Sequence, residues 1–344
     1  MEHDHFDNVI QDVWNQEISG NPIFILSQKL KRVKLYIKPW ARKNFPNIDN
    51  EVKKASDHLN SVHQEIEAIG MSDDHFGREA DAKTALLKAT QLQDNLWAQK
   101  AKQRWMKDGD KNSKFFHLSV KMQRARNQIH TLQNADGEWM NDQQQLSSYI
   151  VNYYEEFHGL SLTSPHPELL DCIPCIISGD DALYLEAEPS SEEIKKAVWE
   201  LDPDSSPGPD SFSGKFFRPV WRIVEGDFCR VVLHFFRWGI LPKGVNNFFL
   251  TLIPKVVGAT SLNKYRPICM GNNFCKVLSK IVASRVAILL PKLISEEQWA
   301  FQKGKIISEN ISLASELANL MHSTVRGGRM GLKVDVQKAY DSLS

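Results

Sequence analysis

Three groups of residues in this 344-residue chain combine types and spacings that chemistry could use. The first is the run Met330-Gly-Leu-Lys-Val-Asp-Val-Gln-Lys-Ala-Tyr-Asp341. Read at the two-residue period of a strand, Leu332, Val334 and Val336 share one face, and Lys333, Asp335 and Gln337 share the other. A strand that aims one carboxylate away from its apolar face suits a metal-binding Asp at the floor of a cleft. It suits a half-buried strand with a solvated Asp equally well. The second group is a pair of cations: Lys255, just past Pro254 at the end of a strand pattern over 247–256, and Arg266 in the extended stretch Lys264-Tyr-Arg-Pro-Ile268. Strand, loop and strand would set the two side by side, where Arg grips phosphate oxygens in a fork and Lys acts as a point charge. Such pairs also occur on hairpins that bind nothing. The third group is Trp105-Met-Lys-Asp-Gly-Asp-Lys-Asn-Ser-Lys-Phe-Phe-His117, in which Lys107, Lys111 and Lys114 meet aromatic residues, followed by Lys121, Arg124 and Arg126. Cations contact phosphates and rings stack on bases, so the mixture suits a nucleic-acid surface. The competing reading is a helix with Phe115 and Phe116 in its core. A fourth grouping, Cys172-Ile-Pro-Cys175 near His158 and His166, has metal-like spacing. It lacks the second Cys pair of a four-ligand structural site and reads as two ordinary thiols.

The elements that must position these groups are those of an ordinary globular chain. Apolar residues make up 42% and charged residues 24%, and the length leaves room for two or three domains. Formal net charge is +0, so whole-chain charge names no partner. Local charge is uneven. Residues 29–43 hold seven Lys/Arg and no acid; residues 100–130 hold nine against Asp108 and Asp110; residues 180–204 hold nine acids against Lys195 and Lys196. Basic blocks in a neutral protein are candidate phosphate contacts, with solvated helix faces as the alternative. The acidic start, Met-Glu-His-Asp-His, is no secretory signal, and no apolar run approaches the ~20 residues of a membrane span. An odd five cysteines without an export signal fit a reducing compartment, so the expected location is intracellular, nucleus or cytoplasm, not secreted. Lys29-Leu-Lys-Arg-Val-Lys34 fits a nuclear-import patch.

In chain order, helical spacing of Phe6, Val9, Ile10, Val13 and Trp14 opens the sequence, and Asn21-Pro22 breaks it before a basic segment. An amphipathic helix over 50–69 ends at Gly70, and a second long helical pattern runs from 79 to 107, which together predict an antiparallel hairpin. Asp136-Gly137 predicts a β-turn, and a helix follows over 142–157. Ser, Thr and Pro between 161 and 167 mark a domain boundary. Ser190 with Glu193 offers a capping box. The dense Pro/Gly run over 202–217 is an ordered loop or a linker, and Phe212, Phe216 and Phe217 argue for order. An apolar helix from Val220 to Phe236 and scaffold helices over 273–290 and 310–322 complete the pattern.

Taken in order, these residues resemble the reverse transcriptase of plant LINE-type (non-LTR) retrotransposons. The resemblance is carried by Gly109-Asp-Lys-Asn-Ser-Lys-Phe-Phe-His117, Ser206-Pro-Gly-Pro-Asp210 with Phe212-Ser-Gly-Lys-Phe-Phe217, Leu252-Ile-Pro-Lys255, Tyr265-Arg-Pro-Ile268, Gln298-Trp-Ala-Phe301 and Lys333-Val-Asp335. It implies a fold that is mostly α with an α+β C-terminal part: an N-terminal long-helix hairpin and connector, then the fingers and first palm strand of a right-hand polymerase. The implied domains are a helical tail over 1–105 that follows an endonuclease, a basic connector over 106–160, a linker over 161–189 and an incomplete reverse transcriptase domain over 190–344. By the same resemblance Lys255 and Arg266 hold the triphosphate of the incoming nucleotide. Asp335 is the first metal-binding Asp of the palm and the carbonyl of Val336 an added ligand. Tyr340 is the aromatic that excludes a ribose 2′-hydroxyl. Lys107, Lys111, Lys114, Lys121, Arg124 and Arg126 remain nucleic-acid contacts expected from their own charge and aromatic neighbours. Two departures stand out: Ser211 replaces the family's Gly after Pro-Asp, which is expected to tighten that loop, and Lys305 replaces Arg, which loses bidentate geometry.

The implied activity is RNA-directed DNA synthesis with Mg²⁺, an RNA template and a DNA primer or target, and no membrane partner. Two-metal nucleotidyl transfer also needs a carboxylate pair, Tyr-x-Asp-Asp in the family, well beyond the strand bearing Asp335. Only Ser342, Leu343 and Ser344 follow Asp341, and the pairs Asp73-Asp74 and Asp180-Asp181 precede Asp335 and read as solvated turns. The expectation is therefore a fragment without the Tyr-x-Asp-Asp pair or the thumb, catalytically inactive alone and not binding Mg²⁺ in catalytic form. The alternatives are a non-catalytic RNA- or DNA-binding protein using the basic connector, or a non-functional transposon relic.

Overall fold

A computed structural model describes residues 6–44, 47–101, 113–157, 159, 168, 171–295, 297–298, 304–321, 328–332 and 334. Helix α1 (Phe6–Trp14) buries Phe6, Ile10, Val13 and Trp14, the stripe its spacing predicts. Asn21-Pro22 proves to be a helix start. Asn21 Oδ1 accepts a hydrogen bond from the Phe24 amide at 2.8 Å, and Pro22 takes the first position of α2 (Pro22–Asn44), where a missing N–H costs nothing. The basic segment is thus one helix, whose other face buries Ile23, Leu26, Leu30 and Val33.

Helices α3 (Ile48–Ile69) and α4 (Asp73–Ala101) form the expected hairpin. Gly70 closes α3 at φ 93°, and its amide bonds the Ile66 carbonyl at 2.9 Å. The antiparallel sense is fixed by polar pairs at both ends: Gln93 to Asp49 at 2.7 Å, and Arg78 to Glu65 at 2.7 Å. Asp73 and Asp74 are not a solvated turn. They occupy the first turn of α4, where the helix dipole favours negative charge. Helix α5 (Ser113–Asn127) packs on α4, with Val120 buried against Trp97 and Ala98.

The connector continues as a short hairpin, β1 (Leu132–Gln133) and β2 (Trp139–Met140), turning at Gly137 with φ 86°, and then α6 (Gln143–Phe157). Helix α7 (Gly179–Glu186) starts with a capping box between Ser178 and Asp181, so Asp180-Asp181 is also a helix start and not a free turn. Ser190 caps α8 (Ser191–Glu200) through the Glu193 amide at 3.1 Å. The reciprocal half of the predicted box is absent, because the Glu193 carboxylate turns to Arg285 in a two-pronged pair at 2.8 Å.

Short α9 (Gly214–Phe217) and long α10 (Trp221–Trp238) follow, the latter capped by Gly239 at φ 64°. Strands β3 (Phe248–Pro254) and β4 (Tyr265–Gly271) pair antiparallel and lead into α11 (Asn273–Leu293) and α12 (Ile307–Met321). The main core joins α1 and α2 to α8, α10 and α11. Phe228 stands at its centre, with ring centroids 5.4 Å from Phe217, 5.5 Å from Trp221 and 5.9 Å from Phe274. Residues 6–44 are therefore built into the same core as residues 194–281.

The strand expected at Met330–Asp341 does not form at its described positions. Met330, Leu332 and Val334 carry no regular structure and are 93%, 85% and 77% exposed. A strand exists only by pairing, and none of these described residues has a ladder partner.

Candidate functional site

Lys255 and Arg266 do come together. In the β3–β4 ladder Ile253 faces Arg266 and Pro254 faces Tyr265; the Lys255 amide then bonds the Lys264 carbonyl at 2.8 Å, which carries the register one step further. Directly opposed residues share a face and successive residues alternate. Arg266 and, one step past the ladder, Lys255 therefore lie on one face with Ile253, and Leu252, Pro254, Tyr265 and Pro267 on the other; Lys264 ends the 3-10 turn Leu262–Lys264 that leads into β4. The second face is held by the connector. Tyr265 and Leu262 are buried in a small core with Leu132 and Leu146, and Leu252 packs at its edge. The Gln133 amide bonds the Thr260 carbonyl at 2.7 Å, tying β1 to the loop between the strands. Tyr265 donates to the Ala259 carbonyl at 3.1 Å, and burial raises its phenol above the ordinary range. Seating the apolar face on the connector leaves the cationic face outward.

Lys255, Lys264 and Arg266 are all exposed, and none pairs with a carboxylate among the described residues. The Lys255 ammonium donates to the Asn263 carbonyl at 3.2 Å, which brings it back over the hairpin. Sequence reading found Lys255 and Arg266 but passed over Lys264, whose carbonyl receives the Lys255 amide. Exposed cations gathered at one end of a two-stranded ribbon can receive a group with several negative oxygens.

Behind the hairpin, the Pro/Gly loop over 202–213 packs against the junction of β4 and α11. The Asp210 amide donates to Asn272 Oδ1 at 3.0 Å, and Lys276 donates to the Ser206 carbonyl at 2.6 Å. At Gly208 the approach is so close that a Cβ would lie 2.5 Å from the Asn272 nitrogen, so glycine is required there by contact and not by dihedral. Asp210 caps its own turn by accepting from the Phe212 amide at 3.1 Å. Its carboxyl is raised by burial, against the opposing pull of that amide and of Lys276 and Lys34. Burial, with the Asp210 charge nearby, also pushes the Cys275 thiol up to about 11. Lys34 of α2 reaches the loop through Ser211 Oγ at 2.6 Å. Ser211 has φ 73° and is the one non-glycine residue with positive φ among the described residues.

Of the expected nucleic-acid contacts, Lys121, Arg124 and Arg126 are exposed on α5. Lys114 falls on the same helix with its side chain outside the described part, and Lys107 and Lys111 lie outside the described residues. Asp335, Val336 and Tyr340 also lie outside them. Among the described residues no three His, Cys, Asp or Glu are grouped to hold a metal ion, so the Mg²⁺ expectation rests on the resemblance alone. No helix of the described residues is long and apolar enough to cross a membrane.

Sequence reading also missed two long-range anchors. Asp227, buried on α10, accepts from Trp14 Nε1 at 2.8 Å and Lys29 Nζ at 2.7 Å, and pairs with Arg230. Arg285, buried on α11, holds Glu193 and the carbonyls of Leu185 and Ala187, at 3.0 Å and 2.5 Å respectively. No local pattern announces either, since each partner comes from a distant element.

No protein-family model matches the chain. It is similar to the transposon TX1 uncharacterized 149 kDa protein of Xenopus laevis, 27% identical over 238 residues, which is 68% of this chain and 18% of that protein. It is similar to the retrovirus-related Pol polyprotein from type-1 retrotransposable element R1 of Bradysia coprophila, 28% identical over 163 residues, 44% of this chain and 15% of that protein. The corresponding polyprotein from type-2 retrotransposable element R2DM of Drosophila melanogaster is 28% identical over 200 residues, 57% of this chain and 17% of its own length. The chain thus spans less than a fifth of each of these relatives, all of them proteins of transposable elements.

Proposed function

We propose that this chain is the helical connector and fingers portion of a non-LTR retrotransposon reverse transcriptase, in which the β3–β4 ribbon receives the triphosphate of an incoming nucleotide. The observation that carries the reading is the register that sets Lys255 and Arg266 on one outward face, fixed by the connector packed behind it. Similarity to transposable-element proteins, two of them Pol polyproteins by name, supports it from an independent direction. In this reading Arg266 grips phosphate oxygens through two N–H groups, Lys255 neutralises charge as a point cation, and Asp335 with the Val336 carbonyl would hold Mg²⁺. Tyr340 would select against a ribose 2′-hydroxyl. Residues 1–344 contain no Tyr-x-Asp-Asp. A chain of these residues alone is accordingly proposed to bind nucleotide and nucleic acid without extending a primer.

The test is equilibrium binding of a fluorescent 2′-deoxynucleoside triphosphate to the purified 344-residue chain. Lys255→Ala and Arg266→Ala should each weaken binding by about tenfold, the scale of one charge-assisted contact, and Arg266→Lys should restore only part of the loss. Equal binding of triphosphate and monophosphate, or unchanged affinity in both alanine variants, would refute the assignment.

A further inference from the structure

A second cationic surface lies on α2. Lys31, Lys34, Lys38 and Arg42 recur at steps of three, four and four residues. Such steps align side chains in one stripe, here beside the buried face formed by Leu26, Leu30 and Val33. At ~1.5 Å per residue the stripe runs about 16 Å along the helix. The helix contains no Asp or Glu. Lys29 lies off the stripe and is used by Asp227, and Lys34 braces Ser211. Lys31, Lys38 and Arg42 are exposed and pair with no carboxylate among the described residues. Packing within the fold therefore gives these three no task.

A cleft of about 440 Å³ opens at the N-terminal end of this stripe. Its lining includes Phe24, Lys31 and Lys34 of α2, Asp210 of the Pro/Gly loop, and Lys243 from the turn after α10. Lys243 is exposed and likewise unpaired with any carboxylate among the described residues. Phe24 is 45% exposed, so part of its ring is open to a visitor. An open aromatic ring beside converging lysines, continued by a row of cations, is the combination that holds unpaired bases and their phosphates. A duplex would engage the row but could not place a base in the cleft without unstacking it.

We infer that this cleft and stripe bind single-stranded nucleic acid, with one base against Phe24 and the following phosphates along Lys31, Lys38 and Arg42. The inference rests on the proposed role of the chain in a nucleic-acid polymerase and adds a contact surface to it. The experiment uses the full 344-residue chain and a fluorescein-labelled oligouridylate of about 12 nucleotides, within the usual range of site sizes. The triple variant Lys31→Gln/Lys38→Gln/Arg42→Gln should bind at least about tenfold more weakly. Its plot of log affinity against log salt should flatten by about 2, since each lost single-strand phosphate contact removes ~0.7. Phe24→Ala should weaken binding about tenfold with the slope unchanged, and Phe24→Tyr should restore it. Urea unfolding checks that each variant remains folded. Unchanged affinity and slope in the triple variant would overturn the inference. So would a duplex of equal length binding as tightly with Phe24→Ala silent. If binding is lost only in the connector variant Lys121→Gln/Arg124→Gln/Arg126→Gln, the inference falls while the proposed function stands. If the unaltered chain binds no oligonucleotide, both fall.

Discussion

At Ser211 the ordinary order of glycine and alanine should be reversed. The residue holds φ 73° in a loop fixed on both sides: Asp210 is bonded to Asn272 and Phe212, and Gly208 is pressed against the β4–α11 junction. A left-handed residue with a Cβ costs roughly 1–2 kcal/mol, because the Cβ crowds the following carbonyl oxygen. Glycine removes that cost but gives the unfolded chain more freedom, which opposes it by about 0.4–1 kcal/mol. Ser211→Ala and Ser211→Gly both lose the 2.6 Å bond from Lys34, so that loss cancels between them. The glycine variant should therefore be the more stable of the two by about 0.8 kcal/mol, the difference of the two ranges. Urea unfolding followed by tryptophan fluorescence reads this as a higher midpoint for Ser211→Gly at unchanged slope. An alanine variant equal to or more stable than glycine would show that the loop does not hold the left-handed conformation, and the strain argument would fail with it.

Two further outcomes follow from charges inside the fold. Asp227→Ala should cost about 3 kcal/mol, since it strands the mostly buried Lys29 ammonium and the Trp14 indole N–H between α1, α2 and α10; a loss under about 1 kcal/mol in urea unfolding would deny that this triad ties the N-terminal helices down. Asp181 is held down to about 2 by Lys292 and by Ser178. A depressed carboxyl stabilises the fold above the ordinary carboxylate range and loses that contribution as pH falls through its folded value, so wild type should lead Asp181→Asn at neutral pH and the gap should narrow as pH falls from about 4 through about 2. A gap at pH 2 as large as that at neutral pH would contradict the assignment.

What the sequence conveys here is periodicity and punctuation, and those succeed where an element is decided locally. The α3–α4 hairpin, the Gly137 turn and the Gly239 cap all follow from apolar spacing and glycine placement. Lys255 and Arg266 were legible for the same reason: two strand patterns separated by a short loop leave few registers. What periodicity leaves open is decided by partners distant in the chain. Glu193 fits the local capping box but bonds Arg285, because a buried guanidinium costs more to leave unpaired than an exposed amide. Asn21-Pro22 reads as a break, and the break is there between α1 and α2; that the same pair also starts α2 depends on the core this helix buries against α10. The Met330–Asp341 run shows the other side of this at its described residues. Its alternation is that of a strand, yet its described residues lie exposed and unpaired. Alternation states which face would be buried, and a sheet must still supply the neighbour. Ser211 combines both lessons: the family resemblance marked it as standing in for glycine, and the backbone gives the physical content of that departure, a left-handed residue braced by a lysine 177 positions away in sequence.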